Sequence, residues 1–437
     1  MIEYNKKMGG RNMKKFSMFL LIISFFAISF SNVTDFVPND SKATFYIKNL
    51  SNTYESLKTV PTVGSFLSDP INAEMYVSNF VESFLASMGI EPKDFFESLK
   101  TDMAIFIQEP EENTYIFGII FGELKNPNKF YDSVSKIIEP LSESGISFNP
   151  IYKEISGKKY LIMVQDKSIY EDSEKGDIKF YEQYENGIYF NINSSDLKNT
   201  GFAYIKDNYL FGTSTGNLNE DSVNQKYLKD VSDYNFLGTA FLASGFLPKD
   251  INSIKEIISI VAEPSIVENI LKSSNGFEVN SNIDINIEEN IKISNTSYVK
   301  IDTSTPLKNI EPIMKENKLK YNYLDENHME FEIKIDENIS NTEMKALKYN
   351  MWKKSDNIFI SEDNEENLNK KLQNSIKLSE NKTYEELSKK IGTANLVLAF
   401  VDFSKFFEKF GASENFGFLL NVNYLGNGAM KADFVLK

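Results

Sequence analysis

The 437-residue chain has no cysteine, one histidine (His328), one tryptophan (Trp352) and one arginine (Arg11). Each scarcity excludes a class of chemistry. Without cysteine there is no disulfide, no thiolate metal site and no cysteine nucleophile. A lone histidine cannot build a multi-histidine zinc or iron centre. Beyond Arg11 the chain lacks the planar guanidinium fork that grips phosphate or carboxylate at two points. From these absences we expect no cofactor and no metal site.

What is present begins with Lys14-Lys15 and a fifteen-residue apolar run, Phe16–Phe30, which closes on Ser29-Phe30-Ser31, small at −3 and −1 of a cut before Asn32. A basic start, an apolar stretch and a small-residue cut site are the parts of a secretory signal peptide. A membrane span needs about 20 apolar residues, so residues 1–31 read as a cleaved signal, with a retained anchor as the lesser alternative. The segment Met8-Gly-Gly-Arg-Asn-Met13 reads as a translated ribosome-binding site, making Met13 the expected start. Setting 1–31 aside leaves 42 bases and 61 acids, a net charge of −19 against −15 for the whole chain. Such a surface repels nucleic acid and anionic headgroups. The expected location is the periplasm or cell envelope, with no nucleic-acid partner and no membrane span in the mature chain.

Both helical and strand periodicities occur, at different places. Phe130, Tyr131, Val134, Ile137 and Ile138 recur at helical spacing, with Asn126 as cap, Pro127 at the first turn and Pro140 closing. Similar stripes run through Met75–Leu85, Ile251–Val261 and Phe403–Phe410, and all four are expected to face the core. Alternation marks strands at Ile188–Ile192, Ile283–Ile293 and Met329–Ile335. The Ile283–Ile293 segment reads as a half-exposed hairpin and Tyr115–Phe121 as a covered central strand. A terminal hairpin turns at Asn427-Gly428. Strand runs broken by single helices indicate the α+β class, antiparallel sheets with helices on one face.

The chain repeats itself. Asp207–Leu218 is similar to Asp356–Leu368, Gly238-Thr-Ala240 to Gly392-Thr-Ala394, and Ala43–Ser51 to Leu396–Ser404. We therefore expect two related modules, 32–230 and 231–437. The stretch Val37-Pro-Asn-Asp-Ser-Lys-Ala-Thr-Phe-Tyr-Ile-Lys-Asn-Leu50, with Leu57-Lys-Thr-Val-Pro61 and the Lys206–Phe211 and Ser355–Ile360 strands, resembles an exported bacterial family of unknown function common in cyanobacteria. The resemblance implies an exported α+β protein and carries over no site residue.

One enzyme motif stands out. Gly212-Thr-Ser214-Thr-Gly216 matches the G-x-S-x-G nucleophile elbow, set between an expected strand and helix, with His328 downstream. Against it, hydrolases of that type need alternating β-α units. The repeat also places Ser361-Glu-Asp363 at the same point, and His328 reads as a solvated turn residue. Ser133-Val-Ser-Lys136 and the partial calcium loop at Asp172–Gln183 lack their companion residues. Ser214 and His328 thus stand as weak catalytic candidates. The leading expectation is a non-catalytic binding or scaffold protein of the envelope. Its alternative is a carrier or chaperone with an apolar cavity for lipid or a hydrophobic segment. A serine hydrolase comes third, and the partner is an unidentified envelope protein or lipid.

Overall fold

The structure is a computed structural model that describes residues 33–48, 50–68, 71–111, 114–142, 147–176, 184, 186–193, 198–217, 223–225, 228, 230–248, 274–286, 292–316, 318–334 and 346–437. The expected signal segment and the stripe at Ile251–Val261 lie outside the described residues. The chain divides into two compact units, Met1–Gly216 and Asn217–Lys437, a break that falls ahead of the expected 230/231 boundary. No helix among the described residues is long and apolar enough to cross a membrane.

The first unit contains β1 (Ala43–Lys48), β2 (Met103–Glu111), β3 (Thr114–Phe121), β4 (Asn149–Ile155), β5 (Lys158–Val164), β6 (Gly187–Asn193), β7 (Lys198–Lys206) and β8 (Tyr209–Asn217). These strands pair antiparallel in the order β4-β5-β3-β2-β1-β6-β7. The hairpin turns Ser156-Gly157 and Asp207-Asn208 have both central residues at positive φ, the backbone twist that short antiparallel hairpins favour. Between strands lie α1 (Leu50–Lys58), α2 (Pro61–Leu67), α3 (Ala73–Ser87), α4 (Pro92–Ser98), α5 (Pro127–Ser142) and α6 (Lys167–Asp172). α5 starts as its sequence indicates, with Asn126 Oδ1 accepting from the Lys129 N–H at 3.1 Å. It continues through Pro140 to Ser142, since a proline in the last turn deletes a single helical hydrogen bond.

Successive strand residues point to opposite faces, and both faces of this sheet are covered. Met103, Ile105, Ile119, Phe121, Leu161 and Met163 pack against Leu85, Phe95, Phe130, Val134 and Ile138 of α3, α4 and α5. The alternate set, Ala104, Phe106, Ile120, Ile162 and Val164, packs with Val33, Phe36, Tyr170 and Tyr189. The expectation of helices on one face is corrected accordingly: α6 lies on the face opposite α5. The α3 stripe is corrected too. Leu85 is buried, yet Met75, Tyr76 and Phe80 are 53, 67 and 70% exposed. Phe80 and Phe84 stack on one another, their ring centroids 6.2 Å apart. α3 is apolar on two sides, and the sheet can bury only one of them.

The second unit contains β9 (Ala240–Ser244), β10 (Gly276–Asn286), β11 (Lys292–Asp302), β12 (Lys320–Asp325), β13 (His328–Lys334), β14 (Ala346–Lys354), β15 (Asn357–Ser361), β16 (Val397–Asp402), β17 (Gly417–Gly426) and β18 (Ala429–Leu436). They pair antiparallel in the order β12-β13-β14-β15-β11-β10-β9-β16-β17-β18. The expected hairpins form here, one pairing Ile285 with Ile293 and one turning at Asn427-Gly428. The helices are α7 (Glu311–Glu316), α8 (Glu365–Gln373), α9 (Lys382–Ile391) and α10 (Ser404–Glu408). On one face Ile301, Met329, Phe331, Met351 and Ile358 meet Leu307, Ile310 and Met314. On the other, Tyr298 and Trp352 meet Leu368 of α8. The Phe403–Phe410 stripe yields only the short α10, with Phe407 buried and Phe410 36% exposed.

Candidate functional site

The two catalytic candidates fall in different units. Ser214 sits inside strand β8, which runs straight through Gly212-Thr-Ser-Thr-Gly216. A nucleophile elbow needs a sharp strand-to-helix turn that lifts the hydroxyl clear of the sheet, so the expected elbow context is absent at Ser214. A Cβ placed on Gly201 of β7 would come within 2.6 Å of Ser214 Cβ and 2.5 Å of the Thr213 carbonyl. The glycines here serve close strand approach.

His328 opens β13 in the second unit and is clamped between two carboxylates. Its Nδ1 lies 2.8 Å from Asp325 Oδ2 and its Nε2 lies 3.0 Å from Glu365 Oε2. Glu365 also takes a bond from Lys354 Nζ at 2.9 Å. The bond to Glu365, helped by Asp325 and opposed by partial burial, raises the His328 pKa above its ordinary value. The Asn327 N–H and then His328 hold the Asp325 carboxyl low, and Lys354 and then His328 do the same for Glu365. The expected solvated turn histidine is thus a pin between the β12–β13 turn and the start of α8. A raised folded pKa means that the protonated ring favours the fold. Its contribution is present below the unfolded histidine value, about 6.5, and is lost as pH rises through the folded value. His328→Gln is therefore expected to destabilise by roughly 0.5 kcal/mol at pH 6, the ring being partly solvated, and by less at pH 9. Trp352, buried and stacked on Phe359 with centroids 5.4 Å apart, gives the fluorescence signal for such melts. An equal deficit at both pH values would refute the clamp.

The most chemically loaded place in the second unit lies on β10 and β11. Alternation puts Glu278 and Asn280 of β10 on the same face as Tyr298 and Lys300 of β11, and direct pairing joins Glu278 to Lys300 and Asn280 to Tyr298. Glu278 and Tyr298 are each 5% exposed and Asn280 is fully buried. The Tyr298 hydroxyl donates to Glu278 Oε1, and Lys300 Nζ lies 3.1 Å from Glu278 Oε2. Asn280 Nδ2 donates to the Asn235 carbonyl at 2.6 Å, and Asn280 Oδ1 accepts from the Leu237 N–H at 3.0 Å. The residues 234–237 are thereby strapped across the cluster. Lys300 Nζ also sits 5.1 Å from the centre of the Tyr234 ring, within cation–π range. Burial first, and the Glu278 charge second, hold the Tyr298 phenol far above its usual range, so it remains a donor.

Glu278 and Lys300 of this cluster line a pocket of about 210 Å³, together with Tyr234, Ser244, Asn275 and Asp302, among others. A second hollow, about 400 Å³, lies over β12–β14 among Lys320, Glu330, Glu332, Lys348 and Asn350. Its Lys320–Glu332 pair has an 80% exposed lysine and behaves as a solvated face. No group of three or more carboxylates and histidines positioned to hold a metal occurs among the described residues. The sequence reading missed Glu278, Asn280 and Lys300, because alternation in Gly276–Asn286 looks the same whether its polar face meets water or a strap. No protein family, curated protein or solved structure matches this chain.

Proposed function

We propose that this chain is a non-catalytic binding protein of the cell envelope, exported by residues 1–31, whose second unit takes a small polar ligand. The observation that carries the reading is the cluster of buried Glu278 and Tyr298 with half-buried Lys300 at the 210 Å³ pocket. Desolvating a carboxylate costs several kcal/mol. A fold that needed only stability would fill the place with apolar side chains. The Lys14-Lys15 and Phe16–Phe30 pattern supports export. The outward Tyr76, Phe80 and Met75 of α3 favour an additional scaffold contact with another protein, since contiguous exposed apolar surface marks interaction sites.

The two units read as products of internal duplication. β1 pairs with β2 and β6, and β9 pairs with β10 and β16. From there the path β2-β3-β5-β4 is matched by β10-β11-β15-β14, and β6-β7 by β16-β17. Hairpin β12–β13 is then an addition to the second unit. In cells, the mature chain is expected in the envelope fraction beginning at Asn32. Recovery from the cytosol with residues 16–30 still attached would overturn the export reading.

A further inference from the structure

The pairing registers of the two units can be laid on one another residue by residue. Ala43 pairs with Ile107 and Ile192, and Ala240 with Ser281 and Val401. Placing Ala43 on Ala240 therefore places Phe106 on Asn280 and Ala104 on Glu278. The next strand follows without adjustment: Gly118 falls on Tyr298 and Ile120 on Lys300. One strand further, Val164 falls on Ser361 and Leu161 on Ile358. In the following hairpin Asn149 falls on Asn350. These two asparagines make the same hydrogen bond, Asn149 Nδ2 to the Gln165 carbonyl and Asn350 Nδ2 to the Glu362 carbonyl, both at 3.0 Å.

The correspondence isolates what is different. In the first unit this face is a closed apolar layer: Ala104, Phe106, Ile120 and Ile162 are each 0% exposed, and the Phe106 ring lies over Gly118. In the second unit the matching positions are Glu278, Asn280, Tyr298 and Lys300; Asn280 and Tyr298 are covered, and a pocket opens over Glu278 and Lys300. The same scaffold position thus exists in a filled, apolar form and in an open, charged form.

We infer that the second unit's pocket is a recognition site for a small organic ammonium ion, at a place where the first unit carries the apolar pair Ala104 and Ile120. The inference rests on the binding-protein reading above and names its ligand class. Three observations fix that class. The lining carries two carboxylates, Glu278 and Asp302, against one cation, Lys300. The protein's own ammonium, Lys300 Nζ, already rests between a carboxylate oxygen at 3.1 Å and the Tyr234 ring at 5.1 Å, the pair of contacts that holds an ammonium ion. The volume of about 210 Å³ suits a small ligand. Leu228 and Ala243 supply apolar wall for its carbon body.

Melting of the mature protein, followed by Trp352 emission at low ionic strength, tests this with butylammonium and butyrate, which share one alkyl chain and carry opposite charges. Butylammonium is expected to raise the melting temperature with concentration and butyrate to leave it unchanged. The variant E278Q/K300M, which removes both charges and keeps an acceptor for the Tyr298 hydroxyl, is expected to melt close to the wild-type temperature and to lose the butylammonium shift. Stabilisation by butyrate alone, or by neither probe, would overturn the inference. So would a double variant that melts well below wild type, which would make the cluster a structural network. Wild type that binds butylammonium but is retained in the cytosol would sink the export reading and leave the site standing.

Discussion

Gly118→Ala is expected to destabilise the first unit by about 3 kcal/mol, at the upper end of overpacking costs, lowering its calorimetric midpoint by roughly 9 °C. A Cβ at Gly118 would stand 2.1 Å from Phe106 Cζ and 2.4 Å from its Cε1. Phe106 is fully buried and stacks on Tyr170 at 5.8 Å, so its ring has no free volume to enter. The strands cannot part to relieve the clash, because Phe106 and Gly118 are direct partners in the β2–β3 register. Shortening the opposing side chain should restore part of the loss. In the double variant Phe106→Leu with Gly118→Ala, the two costs are expected to fall short of additivity by about 1 kcal/mol or more, the behaviour of residues in contact. Strict additivity would mean that the glycine is required for backbone reasons and not for the ring.

Lys300→Met is expected to cost the second unit about 3 kcal/mol, read by Trp352 emission in urea. Methionine keeps most of the stem's volume, so packing changes little. The charge partner of a carboxylate whose side chain is only 7% exposed disappears, while the lysine side chain it replaces is 28% exposed. Removing one member of a buried pair leaves the other desolvated and uncompensated, a loss of roughly 3–5 kcal/mol when both are fully buried. Partial exposure of Lys300 places the expectation at the lower bound, and Tyr298 remains as a donor to Glu278. The contrast with E278Q/K300M is diagnostic: removing one charge should hurt, and removing both while keeping an acceptor for Tyr298 should not. A loss below about 0.5 kcal/mol for Lys300→Met would show an exposed pair of the ordinary surface kind.

Local signals placed particular elements. Asn126-Pro127 started α5 where capping chemistry requires, and Asn427-Gly428 turned the last hairpin because both residues tolerate positive φ. Of the expected covered strand Tyr115–Phe121, the part from Ile116 to Phe121 is covered on both faces, while Tyr115 is 54% exposed. The absence of cysteine, of histidine beyond His328 and of arginine beyond Arg11 was likewise decisive from composition, since no folding can supply a missing side chain. What depends on distant partners was not readable this way. The α3 stripe had the periodicity of a core helix, yet its Leu85 joins Phe95 and Phe130 in the core while Met75, Tyr76 and Phe80 face outward. Ser214 matched a motif five residues long, but hydrogen bonding in β8 held those residues extended and removed the turn. Glu278 and Lys300 lay on what alternation marks as a polar face. The Asn235–Leu237 strap, tied by Asn280 across more than forty residues of chain, made that face an interior. Periodicity is set by neighbours three or four residues apart and composition by the chain itself. Burial is set by whichever segment arrives from elsewhere, and only the tertiary structure decides that.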